Sequence, residues 1–209
     1  MAKVENAIPA DVPTLGALQL NAFDSPEFLE MFPEPYTMAA WAGFVQRGAL
    51  LQSGALAQSG LQTRVVLVRD ETGLPTAACL LHVAQDRDAA AEIYGPWQDR
   101  WGAPLPGMST DKLDAFFVPM KTQHKAVLGD APQIFLEVIM THSTARRRGH
   151  GMALLQFVNA MADEMGLPLY LDADADAVSL YKRVGYVQQP DEVRTSEEFV
   201  PMLRAPVRA

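Results

Sequence analysis

EVIMTHSTARRRGHGMALLQFVNAMADEMGLPLYLDADADAVSLYKRVGY, residues 137–186, sets an Arg146-x-x-Gly149-x-Gly151 turn between an apolar run and a stretch with helical periodicity. Ahead of the turn, Ile134, Phe135, Leu136, Val138, Ile139 and Met140 make the nearly continuous apolar run of a covered central strand. Beyond it, Leu154, Leu155, Val158, Met161, Ala162 and Met165 recur on one helical face, and Gly166 and Pro168 end that helix. The first helical turn therefore falls near residues 149–152, where backbone N–H groups without intrahelical partners and the positive end of the helix dipole face the loop. Glycines let a phosphate approach the backbone, and Arg146, Arg147 and Arg148 add charge and paired donors. The expected guest is a pyrophosphate. Three arginines alone are the pattern of a solvated patch, so the reading rests on strand, glycines and helix together.

Missing motifs narrow the family. No Gly-Lys-Ser/Thr follows, which argues against a nucleotide-hydrolysing P-loop, and Leu154 stands where a dinucleotide fingerprint has its third glycine. What remains resembles the GNAT superfamily of acyl-CoA-dependent N-acetyltransferases, whose Arg/Gln-x-x-Gly-x-Gly/Ala motif is matched by Arg146, Gly149 and Gly151. Leu180-Tyr181-Lys182-Arg183-Val184-Gly185-Tyr186 is similar to the family's downstream Leu-Tyr-x-x-x-Gly-Phe/Tyr segment. Ala7-Ile8-Pro9-Ala10-Asp11-Val12-Pro13, followed by Leu15, Leu18 and Phe23, is similar to its first strand and helix. The resemblance is closest over residues 133–188, extends to 3–84 and does not reach 85–130. It implies an α/β fold of the α+β type, with a mixed central sheet of about six to seven strands flanked by helices. One domain over residues 1–209, with an irregular insertion at about 85–130, is the expected organisation.

The resemblance also implies transfer of an acetyl group from acetyl-CoA to a primary amine by direct attack, the acceptor being a small molecule or a peptide. The alternative is a noncatalytic acyl-CoA-binding regulatory module. An amine of ordinary pKa, about 10.4, costs about 4–5 kcal/mol to deprotonate at pH 7, so a base helps. The implied coenzyme contacts are Val138, Ile139 and Met140 on the strand and Arg146, Arg147, Arg148, Gly149, His150, Gly151 and Met152 around the loop, His150 through its backbone. Tyr181 is the implied general acid toward the departing thiolate; against this, Ala177, Leu180, Tyr181 and Val184 share the spacing of a core face. Glu137, the one charge in the apolar strand, is the candidate base, or else the partner of an arginine. Strict alternation puts it on the face opposite Leu136 and Val138. His142 stands where relatives often have His-Pro and is expected to shape the turn. Asp172-Ala173-Asp174-Ala175-Asp176 replaces the asparagine or serine many relatives carry, as a helix cap, a surface for a cationic acceptor, or solvated turn residues.

Composition sets limits around this. The 209 residues are nearly half hydrophobic, enough for a core without disulfides or metals, and lone Cys79 excludes an internal disulfide framework. A reducing, cytoplasmic setting is expected, with no signal sequence and no membrane-spanning run. The net charge of -8 argues against a nucleic-acid partner and mildly favours a cationic acceptor. The four histidines lack metal-ligand spacing, so no metal is expected. Oligomeric state is open, a homodimer being one option.

Elsewhere the pattern predicts a strand over 3–8, a helix from Asp11 with that carboxylate as its cap, and a helix over 38–51. A hairpin of strands 63–69 and 76–84 is expected across Asp70-Glu71-Thr72-Gly73. Residues 111–127 read as a helix that tolerates or kinks at Pro119. Further strands are expected at 167–172, 186–189 and 198–203, with a short helix at 176–184. Tyr94, Trp97 and Trp101, in the least regular stretch, either cover an acceptor site or pack a long loop.

Overall fold

The computed structural model describes residues 2–54 and 60–207. β1 (Val4–Asn6) leads into α1 (Val12–Ala22), the short α2 (Pro26–Met31) and the long α3 (Glu34–Gln52), followed by the hairpin of β2 (Gln62–Arg69) and β3 (Pro75–Ala84). α4 (Arg87–Ile93), α5 (Trp97–Trp101) and α6 (Thr110–Leu128) come next. The chain continues through β4 (Gln133–Thr141), α7 (His150–Met165), β5 (Leu169–Asp174), α8 (Val178–Arg183), β6 (Val187–Gln188) and β7 (Phe199–Arg204). The described strands form one seven-stranded mixed sheet in the order β1-β2-β3-β4-β5-β7-β6, in which β4 and β5 are the parallel pair.

Each face of the sheet carries its own apolar layer. α7 supplies Leu154, Leu155 and Val158 to one face, against Val66, Leu81 and Leu136, and the helical period read from the sequence is the period that is buried. The other face meets α1, α3, α5 and α6 through Leu15, Trp41, Phe44, Trp101 and Leu113, with Phe32 from the α2–α3 connection among them. Each such side chain contributes about 1.5–3 kcal/mol on burial, which holds the helices to the sheet without covalent staples.

Some expectations change. The stretch after β3 is not irregular but folds into α4 and α5, and Tyr94, Trp97 and Trp101 are buried and pack this segment in place, Tyr94 and Trp101 also lining a cavity. α6 runs unbroken through Pro119, whose carbonyl accepts from the Thr195 hydroxyl at 2.7 Å. Asp11 does not cap α1. Its Oδ2 instead accepts from the Ile8 N–H at 2.9 Å, and both carboxylate oxygens take Arg69 at 2.7 and 2.8 Å. A bidentate arginine and a backbone N–H together outbid the helix end for this acid.

Two departures from regular pairing in β4 position the site. β4 and β5 pair only at Ile134 with Leu169 and Phe135 with Tyr170, and beyond that they diverge. On the other edge, Leu81 pairs with Leu136 and Leu80 with Val138, so Glu137 is an extra residue bulged out of the ladder. The bulge breaks the alternation. Val138 packs into the layer that contains Trp101, and Glu137 bonds to Trp101, so these adjacent residues share a face, contrary to the strict alternation expected.

Candidate active site

A cavity of about 750 Å³ passes through the gap where β4 and β5 part, lined by residues 135–141 of β4, Leu171 and Asp172 of β5, α1, α6 and Tyr181 of α8. It thereby reaches both faces of the sheet. Because β5 has left the ladder, backbone groups of β4 at Val138, Ile139 and Met140 line this gap without a parallel partner strand.

Arg146 brings one end of this cavity to the edge of the glycine loop. α7 begins at His150, and its cap, Gly149, is left-handed at φ 84°, which favours glycine. Arg147 holds φ 64°, the one positive φ outside glycine among the described residues. Such an outlier persists where the surroundings fix it and is a pointer to function. A Cβ on Gly151 would sit 3.3 Å from the Thr141 hydroxyl, so the helix start and the strand end come close together and a side chain there would push on Thr141. Arg146, Arg147 and Arg148 are exposed; Arg146 lines the cavity and donates to the Ala22 carbonyl at 3.2 Å. The His150 ring is turned away from the helix start, onto the Thr76 hydroxyl at 2.8 Å, and Met152 is half-buried. His142 shapes the turn, its Nδ1 lying 2.9 Å from the Thr144 hydroxyl and its N–H donating to the Thr76 carbonyl. These features fit a diphosphate: free helix-start amides, a bare Cα at the closest approach and guanidinium groups at the rim.

Glu137 lies at the middle of the cavity inside a full set of donors. Oε2 meets His82 Nε2 at 2.6 Å, while Oε1 accepts from Arg100 Nη2 at 2.9 Å and from the Trp101 indole at 3.0 Å. Arg100 Nε also donates to both oxygens, at 3.1 and 3.2 Å. Burial alone would raise its pKa, but the charge of Arg100 and the His82 hydrogen bond hold it well below the usual carboxylate range. His82 is fully buried, and burial, outweighing Glu137, pushes its pKa down. A neutral ring that donates to Glu137 from Nε2 must accept at Nδ1, where the Thr63 hydroxyl sits 3.2 Å away. The alternative the sequence offered for Glu137, pairing with an arginine, is the arrangement present.

Asp172, one of the carboxylates for which the sequence offered a cap, an acceptor surface or a solvated turn, lines the cavity. Its Oδ1 accepts from Gln123 Nε2 and the Tyr170 hydroxyl, both at 2.6 Å, while Oδ2 has no hydrogen bond among the described residues. Burial pushes its pKa up to about 7, with Glu137 adding to the shift and the two hydrogen bonds opposing it. Glu137 and Asp172 each follow the last paired residue of their strand by two positions, so these carboxylates flank the start of the gap. Tyr181 borders the cavity from the α7 side and packs on Tyr186 with centroids 5.6 Å apart. Its phenol makes no hydrogen bond among the described residues, and burial pushes its pKa above the ordinary range, so it stays protonated.

Residues 126–204 match a family model described as an acetyltransferase (GNAT) domain. Among solved structures, the chain is similar over its full length to a histone acetyltransferase HPA2 and related acetyltransferase from Corynebacterium glutamicum, with 21% identity, 99% of that chain covered and a TM-score of 0.57. It is similar over 98% of its length to 99% of the PaiA N-acetyltransferase of Thermoplasma acidophilum, determined with coenzyme A, at 9% identity and a TM-score of 0.59. A phosphinothricin acetyltransferase from Sinorhizobium meliloti, determined with acetyl-CoA, matches at 15% identity, TM-score 0.56, over 98% of this chain and 88% of that one. No curated protein sequence matches the chain. At these identities the structures speak for the fold, which the chain shares with these acetyltransferases, and the domain match speaks for residues 126–204, which are similar to a GNAT acetyltransferase domain.

No described helix is long and apolar enough to cross a membrane. Among the described residues no group of three or more His, Cys, Asp or Glu side chains is placed to hold a metal ion.

Proposed function

We propose that the protein is an N-acetyltransferase that uses acetyl-CoA and a primary amine, the acetyl group passing directly to nitrogen. One observation carries the reading: a single cavity runs from Arg146, at the edge of the glycine loop, past the unpaired β4 backbone to two carboxylates. In this reading the amides at the start of α7, with Arg146, Arg147 and Arg148, hold the pyrophosphate. The β4 backbone at Val138, Ile139 and Met140 aligns the acyl arm as an added strand would, and an N–H there supports the negative charge that develops on the thioester oxygen. Holding both reactants in one cavity lowers the barrier by several kcal/mol more.

Tyr181 stands on the α7 side of the gap, opposite the carboxylates, where the leaving sulfur is expected. A phenol kept protonated there donates to the sulfur as its charge builds. Tyr181→Phe should bind acetyl-CoA normally and turn over on the order of 10²-fold more slowly. A full rate in that variant would remove the role.

Glu137 is assigned a positioning role, because a carboxylate already holding Arg100, His82 and Trp101 has little affinity for a further proton. The decisive test is calorimetric titration of acetyl-CoA into the wild type and Gly151→Trp, with folding checked by circular dichroism. Binding to the wild type and not to the variant is the expected result. Absence of binding to folded wild type would end this reading.

A further inference from the structure

The acceptor end of the cavity has a chemistry of its own, and its assignment to an acceptor rests on the acetyl-transfer reading. Two carboxylates face the gap, and one is already neutralised by Arg100. Asp172 has no cationic partner: Gln123 and Tyr170 bind one oxygen, and Oδ2 is left over. Around it on the α6 side the walls are ring and thioether, from Phe28, Trp101, Phe116, Phe117, Met120 and Phe199. The rings of this wall are themselves interlocked, with Phe28 on Phe32 at 4.6 Å, Phe116 edge-on to Phe117 at 5.1 Å and Phe116 edge-on to Phe199 at 5.7 Å. A carboxylate oxygen without a partner beside an aromatic wall, the remaining acids of the lining apart from the paired Glu137 being exposed, matches a molecule with one ammonium group on an apolar body. It does not match a polycation, which would bury further charges against rings.

We propose that Asp172 receives the proton of the acceptor ammonium, and that the acceptor is a primary amine carried on an aromatic or branched apolar group seated against Phe116, Phe117 and Phe199. The groups facing Asp172 from neighbouring elements do not take over this role. Glu137 on β4 is paired with Arg100 of α5. Lys121 on α6 reaches the Gly95 carbonyl at 3.5 Å. His124, stacked 3.8 Å from Tyr170, is kept neutral by burial, with its pKa pushed down to about 3. Tyr94 donates no proton at working pH, since burial raises its pKa to about 12. Asp24, Glu27, Asp174 and Glu198 line the cavity too, but all four are exposed residues.

In the transfer, one ammonium N–H bond breaks and its proton goes to Oδ2 of Asp172. The nitrogen lone pair forms the N–C bond while the C–S bond breaks with its electron pair on sulfur. The thiolate takes its proton from Tyr181, the second proton lost from nitrogen replaces the one the phenol gave up, and Asp172 returns its own to solvent through the cavity mouth.

The test uses 2-phenylethylamine as the apolar amine, spermidine as the polycation, and Asp172→Asn, in which the amide oxygen still accepts from Gln123 and Tyr170. Acetyl-CoA affinity is expected to be the same in the variant as in the wild type, because the glycine loop is untouched. The rate with 2-phenylethylamine should fall at least 100-fold, and the wild-type loss of rate below about pH 7 should disappear from the residual profile. Equal rates and equal pH profiles in the two proteins would overturn the proton role, and spermidine acetylated faster than 2-phenylethylamine would overturn the acceptor class. If acetyl-CoA fails to bind wild type, the acetyl-transfer reading falls and calorimetry with 2-phenylethylamine alone decides. Binding weakened at least tenfold in Asp172→Asn supports the ammonium site, and unchanged binding removes it.

Discussion

Glu137→Gln should lose about 3–5 kcal/mol of stability, the typical result of removing one partner from a buried ion pair. Glu137 and Arg100 side chains are 6% and 9% exposed, so the guanidinium left behind has almost no access to water. Arg47 worsens the imbalance, since it donates to the Arg100 carbonyl at 2.7 Å and brings a second cation nearby. His82 can adapt to an amide by moving its proton to Nδ1 and donating to Thr63; Arg100 cannot, because its charge is fixed. Against a total of about 5–15 kcal/mol for a domain, the loss approaches the unfolding threshold. Urea denaturation at pH 7 measures it, and Glu137→Gln with Arg100→Met should recover part of it. The loss depends on pH. The folded pKa is depressed, so the stability Glu137 provides is fully present above its ordinary value of 4.5 and is lost as pH falls toward the folded value. The gap between the proteins should therefore narrow below pH 4.5. A variant within 1 kcal/mol of wild type at pH 7 would show that the network is not under this electrostatic load.

Asp172→Asn should have the opposite effect on folding, stabilising the protein by about 2–4 kcal/mol at pH 8. Its pKa rises from 3.8 to about 7 on folding, and each unit is worth about 1.4 kcal/mol, so the shift sets the upper limit. Here the folded state holds the proton more tightly than the unfolded chain. Stability from this group is therefore greatest below pH 3.8, declines as pH rises to 7 and is level above that. Asparagine removes the penalty while keeping an acceptor for Gln123 and Tyr170. Denaturation at pH 4, 6 and 8 should show a gain that grows with pH, and a wild type more stable than the variant at pH 8 would contradict the burial argument. A side chain that costs stability where a near-isostere would not is the trade expected of a residue kept for activity.

These two acids also mark where sequence reading ran out. The glycine loop, α7 and the β2–β3 hairpin were legible because period, stop residues and turn chemistry are local signals. The lone charge of Glu137 in an apolar strand announced the need for a counterion, but nothing local singled out Arg100, 37 residues earlier, or the fully buried His82. Asp172 was obscured by company: at the end of an expected strand and alternating with alanine ahead of two further aspartates, it could not be told from a cap or a solvated turn residue. Gln123, 49 residues away, arrives with α6 to make it part of the interior, and only Asp174 and Asp176 are the exposed acids that the pattern suggests. Asp11 was misread for the same reason, its arginine being 58 residues away.

The bulge in β4 gives this site an unusual separability. Leu136 and Val138 already pair with consecutive residues of β3 and already lie on opposite faces, so Glu137 is supernumerary to the ladder. Excising that one residue would leave an uninterrupted strand, with every other side chain still on its present side. The anion at the centre of the cavity is thus a single-residue insertion into a scaffold that is geometrically complete without it. A lineage could gain or shed this centre by one codon-length event without re-threading the sheet, provided Arg100 changed with it.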